Sequence, residues 1–252
     1  MKGVQIFMHA LRMVFGNLGP VLRLSAVLYA LLFLAFGSLG FGAIGLESAS
    51  DDGVSAEAVG QLALGATLAA LFGLVAQVWI IVNWHRYVLL EDYPAGWIPR
   101  WPGFAVFRYM GRAILLGLVI ALIMIPALIL VGGAMALSQG LGVVLVSGLA
   151  ALGSYLFFRL GIVLPAAAIG EPLTFREAWT ATKDPDGAVI VLVFVVVAGG
   201  LFLQLPILLF DSIGASILSG AAALVAGWIN TMVGASLLTT LFGHYVQGRG
   251  VD

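Results

Sequence analysis

Six long apolar runs dominate the chain, at residues 21–44, 61–90, 112–137, 141–169, 188–210 and 213–243. Each reaches or exceeds the roughly 20 residues that a helix needs to cross a bilayer. The second, fourth and sixth are longer than that, so they are expected to tilt or to project past the interface. Shorter amphipathic stretches precede the odd-numbered runs. Val4, Phe7, Leu11, Val14 and Leu18 form one helical stripe, broken by Gly16, Asn17, Gly19 and Pro20. Thr174 and Glu177 have capping-box spacing, in which each side chain satisfies a free backbone donor. Phe175, Ala178 and Trp179 continue that turn, and Asp184, Pro185, Asp186 and Gly187 stop it. The middle copy, residues 100–109, fits less well. Each even run ends in an aromatic and basic group: Trp84, His85, Arg86 and Tyr87, then Phe157, Phe158 and Arg159, then His244 and Tyr245. The pattern predicts an all-α polytopic membrane helix bundle of six transmembrane helices. These fall into three units, each an interfacial helix plus a hairpin. One transmembrane domain covers 1–252, with weak repeats over about 1–92, 93–171 and 172–252.

Charge placement gives the bundle an orientation. All 11 Lys and Arg residues lie in or beside 1–20, 91–111, 170–187 and 245–252. The first connection on the other side carries Glu47, Asp51, Asp52 and Glu57 and no positive charge. Positive residues stay in the cytoplasm during insertion, so both termini are expected there, in a bacterial inner membrane. The composition agrees: 62% of residues are hydrophobic and 9% charged, against about 45–50% and about 25% in soluble domains. Lipid must therefore be the solvent for most of the surface. A net charge of -1 offers no field to attract nucleic acid. The absence of cysteine excludes disulfides, thiolate metal sites and Cys nucleophiles. Residues 1–20 are amphipathic and lack the layout of a cleavable signal, so the first run is expected to be retained.

A spaced set of residues, Arg159, Pro165, Glu171, Ala178, Trp179, Thr182 and Lys183, resembles a pattern in the YciC-like bacterial inner-membrane proteins. The membrane domain of some glycerophosphodiester phosphodiesterases is similar. The resemblance covers about thirty residues plus the hydropathy layout. It implies a six-helix membrane fold, with the Arg and Pro at the end of the fourth helix and a short helix after them. It lends no activity, and no soluble stretch is long enough to hold a phosphodiesterase domain.

Candidate chemistry is sparse. Gly65, Ala69, Gly73 and Gln77, and Ala223, Gly227 and Thr231, have the small-residue spacing of close helix packing, either within the chain or across a homodimer. Gln77, Asn83, Gln204 and Asn230 are amides in or near apolar spans. They suit interhelical hydrogen bonds or the lining of a transport path, where Tyr155 would join Gln204 and Asn230. Pro126 with Gly132 and Gly133, and Gly199 and Gly200 with Pro206, are breakers that serve packing kinks or a transporter site. His9, His85 and His244 lack zinc-site spacing, so neither metal nor cofactor is expected, and interfacial snorkelling is their default. No GxSxG or P-loop motif occurs. Arg86, Arg159 and His244 are the candidate basic cluster, set either to cap helix ends or to hold an anionic phospholipid. Glu171, Glu177 or a lipid phosphate are the expected partners of Arg159. The expected role is a non-enzymatic scaffold, assembly or regulatory factor working on a membrane partner. A small-solute or lipid transporter is the alternative.

Overall fold

A computed structural model describes residues 1–48, 55–183 and 186–251, all of it helix or connection. In chain order the helices are α1 (Lys2–Phe15), α2 (Leu18–Ser48), α3 (Ala56–Leu90), α4 (Phe104–Leu137), α5 (Gln139–Leu160), α6 (Val163–Ile169), α7 (Phe175–Ala181), α8 (Ala188–Ser212) and α9 (Ser216–Tyr245). Six segments are long and apolar enough to cross a membrane. They are Leu18–Gly40, Ala56–Leu90, Phe104–Gly133, Val144–Ile169, Ala188–Ser212 and Ser216–Tyr245. Asp51, Asp52, Asp184 and Pro185 lie outside the described residues.

The expected hairpins form: α2 packs on α3, α4 on α5 and α8 on α9. Two of the three short lead-in helices also form, as α1 and α7. The middle one does not. Residues 91–103 run as an irregular strap, and the helix that begins at Phe104 continues into the span. Pro102 ends the strap, and Gly103 holds a positive φ of 61° just before the helix starts. Pro126 and Pro206 lie inside continuous helices.

The fourth run is two helices. The Gly161 N–H closes α5 on the Phe157 carbonyl at 2.7 Å, and the Gly161 carbonyl accepts a short-range bond from the Leu164 N–H at 2.9 Å. Pro165 has no N–H for the i−4 bond to Gly161, so an α-helix cannot run through without losing it. The chain turns, and α6 packs between α3, α4 and α9. Ile162, Val163, Leu164, Ala166 and Ala168 are almost wholly buried there. As a result 67% of this span's apolar window is buried, against 11% for the span in α4.

Burial is one-sided along the bundle axis. The core takes the first part of α2 (Val21, Leu24, Leu28, Leu32), the last part of α3 (Ile80, Val82, Trp84) and the last part of α9 (Leu237, Leu241, Phe242). It also takes the first turns of α4 and α8. All of these lie at the end that carries the basic residues. At the other end Leu122, Leu130, Phe202 and Ile217 are strongly exposed.

α1 is built into this core. Its buried face is Gly3, Ile6, Ala10 and Val14, set against α8 and α9. That face differs from the expected stripe, of which only Val14 is buried; Val4 and Leu18 are exposed. The reason is backbone approach. A Cβ at Gly3 would lie 2.8 Å from the Leu192 nitrogen and 2.9 Å from Val191 Cβ, so small residues seat this face more closely than the larger ones could. Pro20 does not end α1. The break is at Gly16 and Asn17, and Pro20 occupies the first turn of α2, where its missing N–H costs no bond.

Candidate functional site

The interhelical hydrogen bonds form a seam along α9. Trp228 Nε1 donates to Ser25 Oγ at 2.9 Å. Tyr29 Oη donates to Thr231 Oγ1 at 2.8 Å and accepts from Gln77 Nε2 at 2.9 Å. Trp84 Nε1 donates to Ser236 Oγ at 2.8 Å. Gln77 is thus an interhelical bridge joining α2, α3 and α9. Asn83 bonds within its own helix, to the Trp79 carbonyl at 2.9 Å.

His85 continues the seam and is fully buried, which corrects the interfacial position expected for it. Its Nδ1 lies 2.7 Å from Thr239 Oγ1, and its ring lies 5.8 Å from that of Tyr109. Nε2 has no partner. The Thr239 hydroxyl also lies 2.8 Å from the Ala235 carbonyl. Whichever acceptor takes that single proton, one bond satisfies Nδ1 and none reaches Nε2.

Arg159 is the most heavily engaged charge. It is 6% exposed, at the end of α5, beside the break before α6. Nε donates to Thr182 Oγ1 at 2.8 Å, Nη1 to Tyr155 Oη at 2.6 Å and Nη2 to the Trp179 carbonyl at 2.5 Å. The guanidinium carbon lies 3.8 Å from the Trp179 ring centroid. The Thr182 hydroxyl in turn lies 2.8 Å from the Ala178 carbonyl. Arg159 therefore ties α5 to α7 through neutral groups and an aromatic face. Among the described residues, neither carboxylate expected to hold it pairs with it. Glu177 completes the capping box on Thr174, accepting from its N–H at 2.7 Å and its hydroxyl at 2.8 Å. Those two bonds, the backbone one foremost, hold the Glu177 carboxyl below its usual range. Glu171 makes no ion pair with Arg159.

The other members of the expected basic cluster have separate partners. Arg86 pairs with Asp92 at 3.2 Å. Glu91 makes this possible by taking a left-handed cap conformation, φ 56°, that curls the chain back on the helix end. His244 Nδ1 lies 3.0 Å from the Arg249 carbonyl in the C-terminal tail. Arg86, Arg159 and His244 thus have three unrelated sets of contacts.

A cleft of about 970 Å³ opens between α1, α4, α5, α8 and α9. Gly153, Gly199, Gly200 and Gly234 face it, with Phe7 and Leu11 of α1 at one end. Ser154 and Asn230 are its polar side chains; Gln204 and Tyr155, expected beside Asn230, do not line it. The Ser154 hydroxyl bonds back to the Ala150 carbonyl. Asn230 makes no hydrogen bond among the described residues. Of the glycines expected at close crossings, Gly73 lies against Leu32 and Phe36, whereas a Cβ on Gly227 would meet nothing within 4 Å. Among the described residues no three His, Asp or Glu side chains gather as metal ligands do.

No protein-family model, no curated protein and no solved structure matches the chain. The seam includes residues that the sequence pattern passed over. Ser25, Ser236 and Thr239 are ordinary hydroxyls in apolar runs, unremarkable until a Trp or His faces them. The Gly161 and Pro165 pair was the available signal for the break that places Arg159.

Proposed function

We propose that the chain is a non-enzymatic integral protein of a bacterial inner membrane, with both termini cytoplasmic. It scaffolds or assembles a membrane partner by seating a partner helix in the cleft beside α4 and α8. The observation that carries this reading is the glycine floor of the cleft: a Cβ on Gly200 or Gly234 would meet nothing within 4 Å. In a bilayer, helices associate by close packing on small residues rather than by hydrophobicity. Open glycines in a wide apolar cleft suit a helix backbone better than a disordered acyl chain. The two flanking spans, in α4 and α8, are also the least buried, at 11% and 22% of their windows. The resemblance to YciC-like membrane proteins supports the membrane fold and the location and lends no activity. Transport is the second reading, favoured by the unbonded Asn230 in the cleft.

The chain has no cysteine, so single-cysteine probes are clean. A photo-crosslinking residue at Gly200 should capture one membrane protein in cells. Gly234→Trp should abolish that adduct at an unchanged level of the chain. Crosslinks to lipid alone would overturn the scaffold. Asn230→Cys should resist a charged thiol reagent. Labelling as fast as Ser212→Cys, together with solute flux in liposomes, would replace the scaffold with a transporter. Ser212→Cys should label from outside intact spheroplasts and Pro94→Cys only after lysis; the reverse would overturn the orientation.

A further inference from the structure

We infer that Arg108 and Arg112, with Gly170, form a site for the phosphate of an anionic phospholipid. The inference does not depend on the scaffold reading. The two arginines stand one turn apart on one face of α4, where like charges repel. Both line a groove of about 570 Å³ between α4 and the end of α6. Neither has an ion pair among the described residues. Arg112, half-buried, makes no hydrogen bond among the described residues, and Arg108 leans over the Phe104 ring at 5.9 Å. Arg159 and Arg86, by contrast, spend their donors on protein. Gly170 makes room for the Arg108 guanidinium. It holds a positive φ of 84°, and a Cβ there would sit 3.3 Å from Arg108 Nη2. Glu171 lines the same groove and pairs with neither arginine, leaving a formal surplus of one positive charge.

Charge and position choose the occupant. The pair lies in the first turns of the span Phe104–Gly133, where apolar sequence begins. The groove walls are apolar, Phe107 at 52% and Leu115 at 48% exposure, and the outward face continues through Ile114 and Leu118. An anionic headgroup on two guanidinium forks with an acyl chain along α4 satisfies both parts at once. A soluble phosphate would leave the apolar wall uncovered.

The test uses the full chain in nanodiscs, then detergent, with retained lipid read by native mass spectrometry. Wild type should keep phosphatidylglycerol over phosphatidylcholine. Arg108→Gln with Arg112→Gln should lower retained phosphatidylglycerol about tenfold, the loss expected from charge-assisted contacts. Arg249→Gln should retain it as wild type does. Glu171→Gln, which adds no bulk, should raise retention, and this arm stands even if the double variant fails to fold. Equal retention in wild type and the double variant, or no gain in Glu171→Gln, would overturn the site. Displacement of the lipid by millimolar inorganic phosphate alone would overturn the lipid assignment in favour of a free-anion site.

Discussion

Replacing Arg159 separates a structural clamp from a lipid or sorting role. The change Arg159→Met removes three hydrogen bonds and the stacking on Trp179. Hydrogen bonds from a charged donor are worth about 1.5–3 kcal/mol each in water-soluble proteins, but membrane-embedded bonds average about 0.6 kcal/mol. A desolvated cation–π contact adds about 2 kcal/mol. Against this stands the cost of burying a guanidinium, several kcal/mol, which the neutral side chain escapes. Thr182 keeps its bond to the Ala178 carbonyl in the variant, so only Tyr155 Oη and the Trp179 carbonyl lose a partner. The net loss is therefore about 1–3 kcal/mol, well below the sum of the contacts.

A double-mutant cycle isolates the stacking. Arg159→Met and Trp179→Leu, measured by thermal unfolding in one detergent, should couple by about 1–2 kcal/mol. Arg159→Lys should recover little, because an ammonium cannot bond three diverging acceptors and stack on a ring together. Coupling within the additivity error of about 0.3–0.5 kcal/mol, with full stability in Arg159→Lys, would refute the clamp. The charge itself, rather than its fork, would then be what the site needs.

Gly3→Ala forces a methyl onto the α8 backbone and should cost about 1–3 kcal/mol, whereas Gly227→Ala meets open space and gains up to about 1 kcal/mol of helix propensity; melting temperatures in detergent check the pair. Gln77→Leu should lower stability by about 0.6 kcal/mol, and Tyr29→Phe on top of it should cost less than it does alone, because the two share one hydrogen-bonded chain; unfolding of the single and double variants decides this. The depressed Glu177 carboxyl stabilises the α7 cap above its unfolded pKa, and that contribution is lost as pH falls through the lower folded value. Trp fluorescence should therefore stay level down to the ordinary Glu range, about pH 4.3, and step only below it, and Glu177→Gln should remove the step.

Periodicity and charge made the helices legible, because spans and capping boxes are local. Five of the six apolar runs became single helices, although α4 begins at Phe104, well ahead of the expected start at residue 112. Positions that depend on which helix lies opposite were not legible. Arg159 was visible as an unusual charge, but Thr182 and Trp179 reach it only because the chain turns back after α6. The α1 stripe was read from its largest apolar residues, while the buried face is set by its smallest, Gly3 and Ala10. Gln77 was legible as a bridge because an amide in an apolar run must find a partner. Asn230 met the same criterion and has none, so the criterion identifies the residue and not its neighbour.

That contrast bears on the open half of the bundle. Lipid tails are as apolar as leucine, so helices close on one another where they offer a directional bond or a tight fit that lipid lacks. The basic half has both, in Trp228 to Ser25, Trp84 to Ser236 and the Tyr29 chain. Towards the other end the hydroxyls of Ser38, Thr67 and Ser154 return to carbonyls of their own helices and bridge nothing. Closing the cleft would exchange lipid contacts for equivalent apolar contacts and still leave Asn230 unbonded. An occupant that bonds to this amide would gain what the chain's own helices do not supply. Asn230→Leu is then expected to leave the isolated chain as stable as wild type, since no internal bond is lost. It should also weaken capture of the partner from the Gly200 probe by about threefold, the value of one membrane hydrogen bond of about 0.6 kcal/mol. Lower stability with unchanged capture would mean that Asn230 bonds within the bundle, and that the cleft holds its occupant by shape alone.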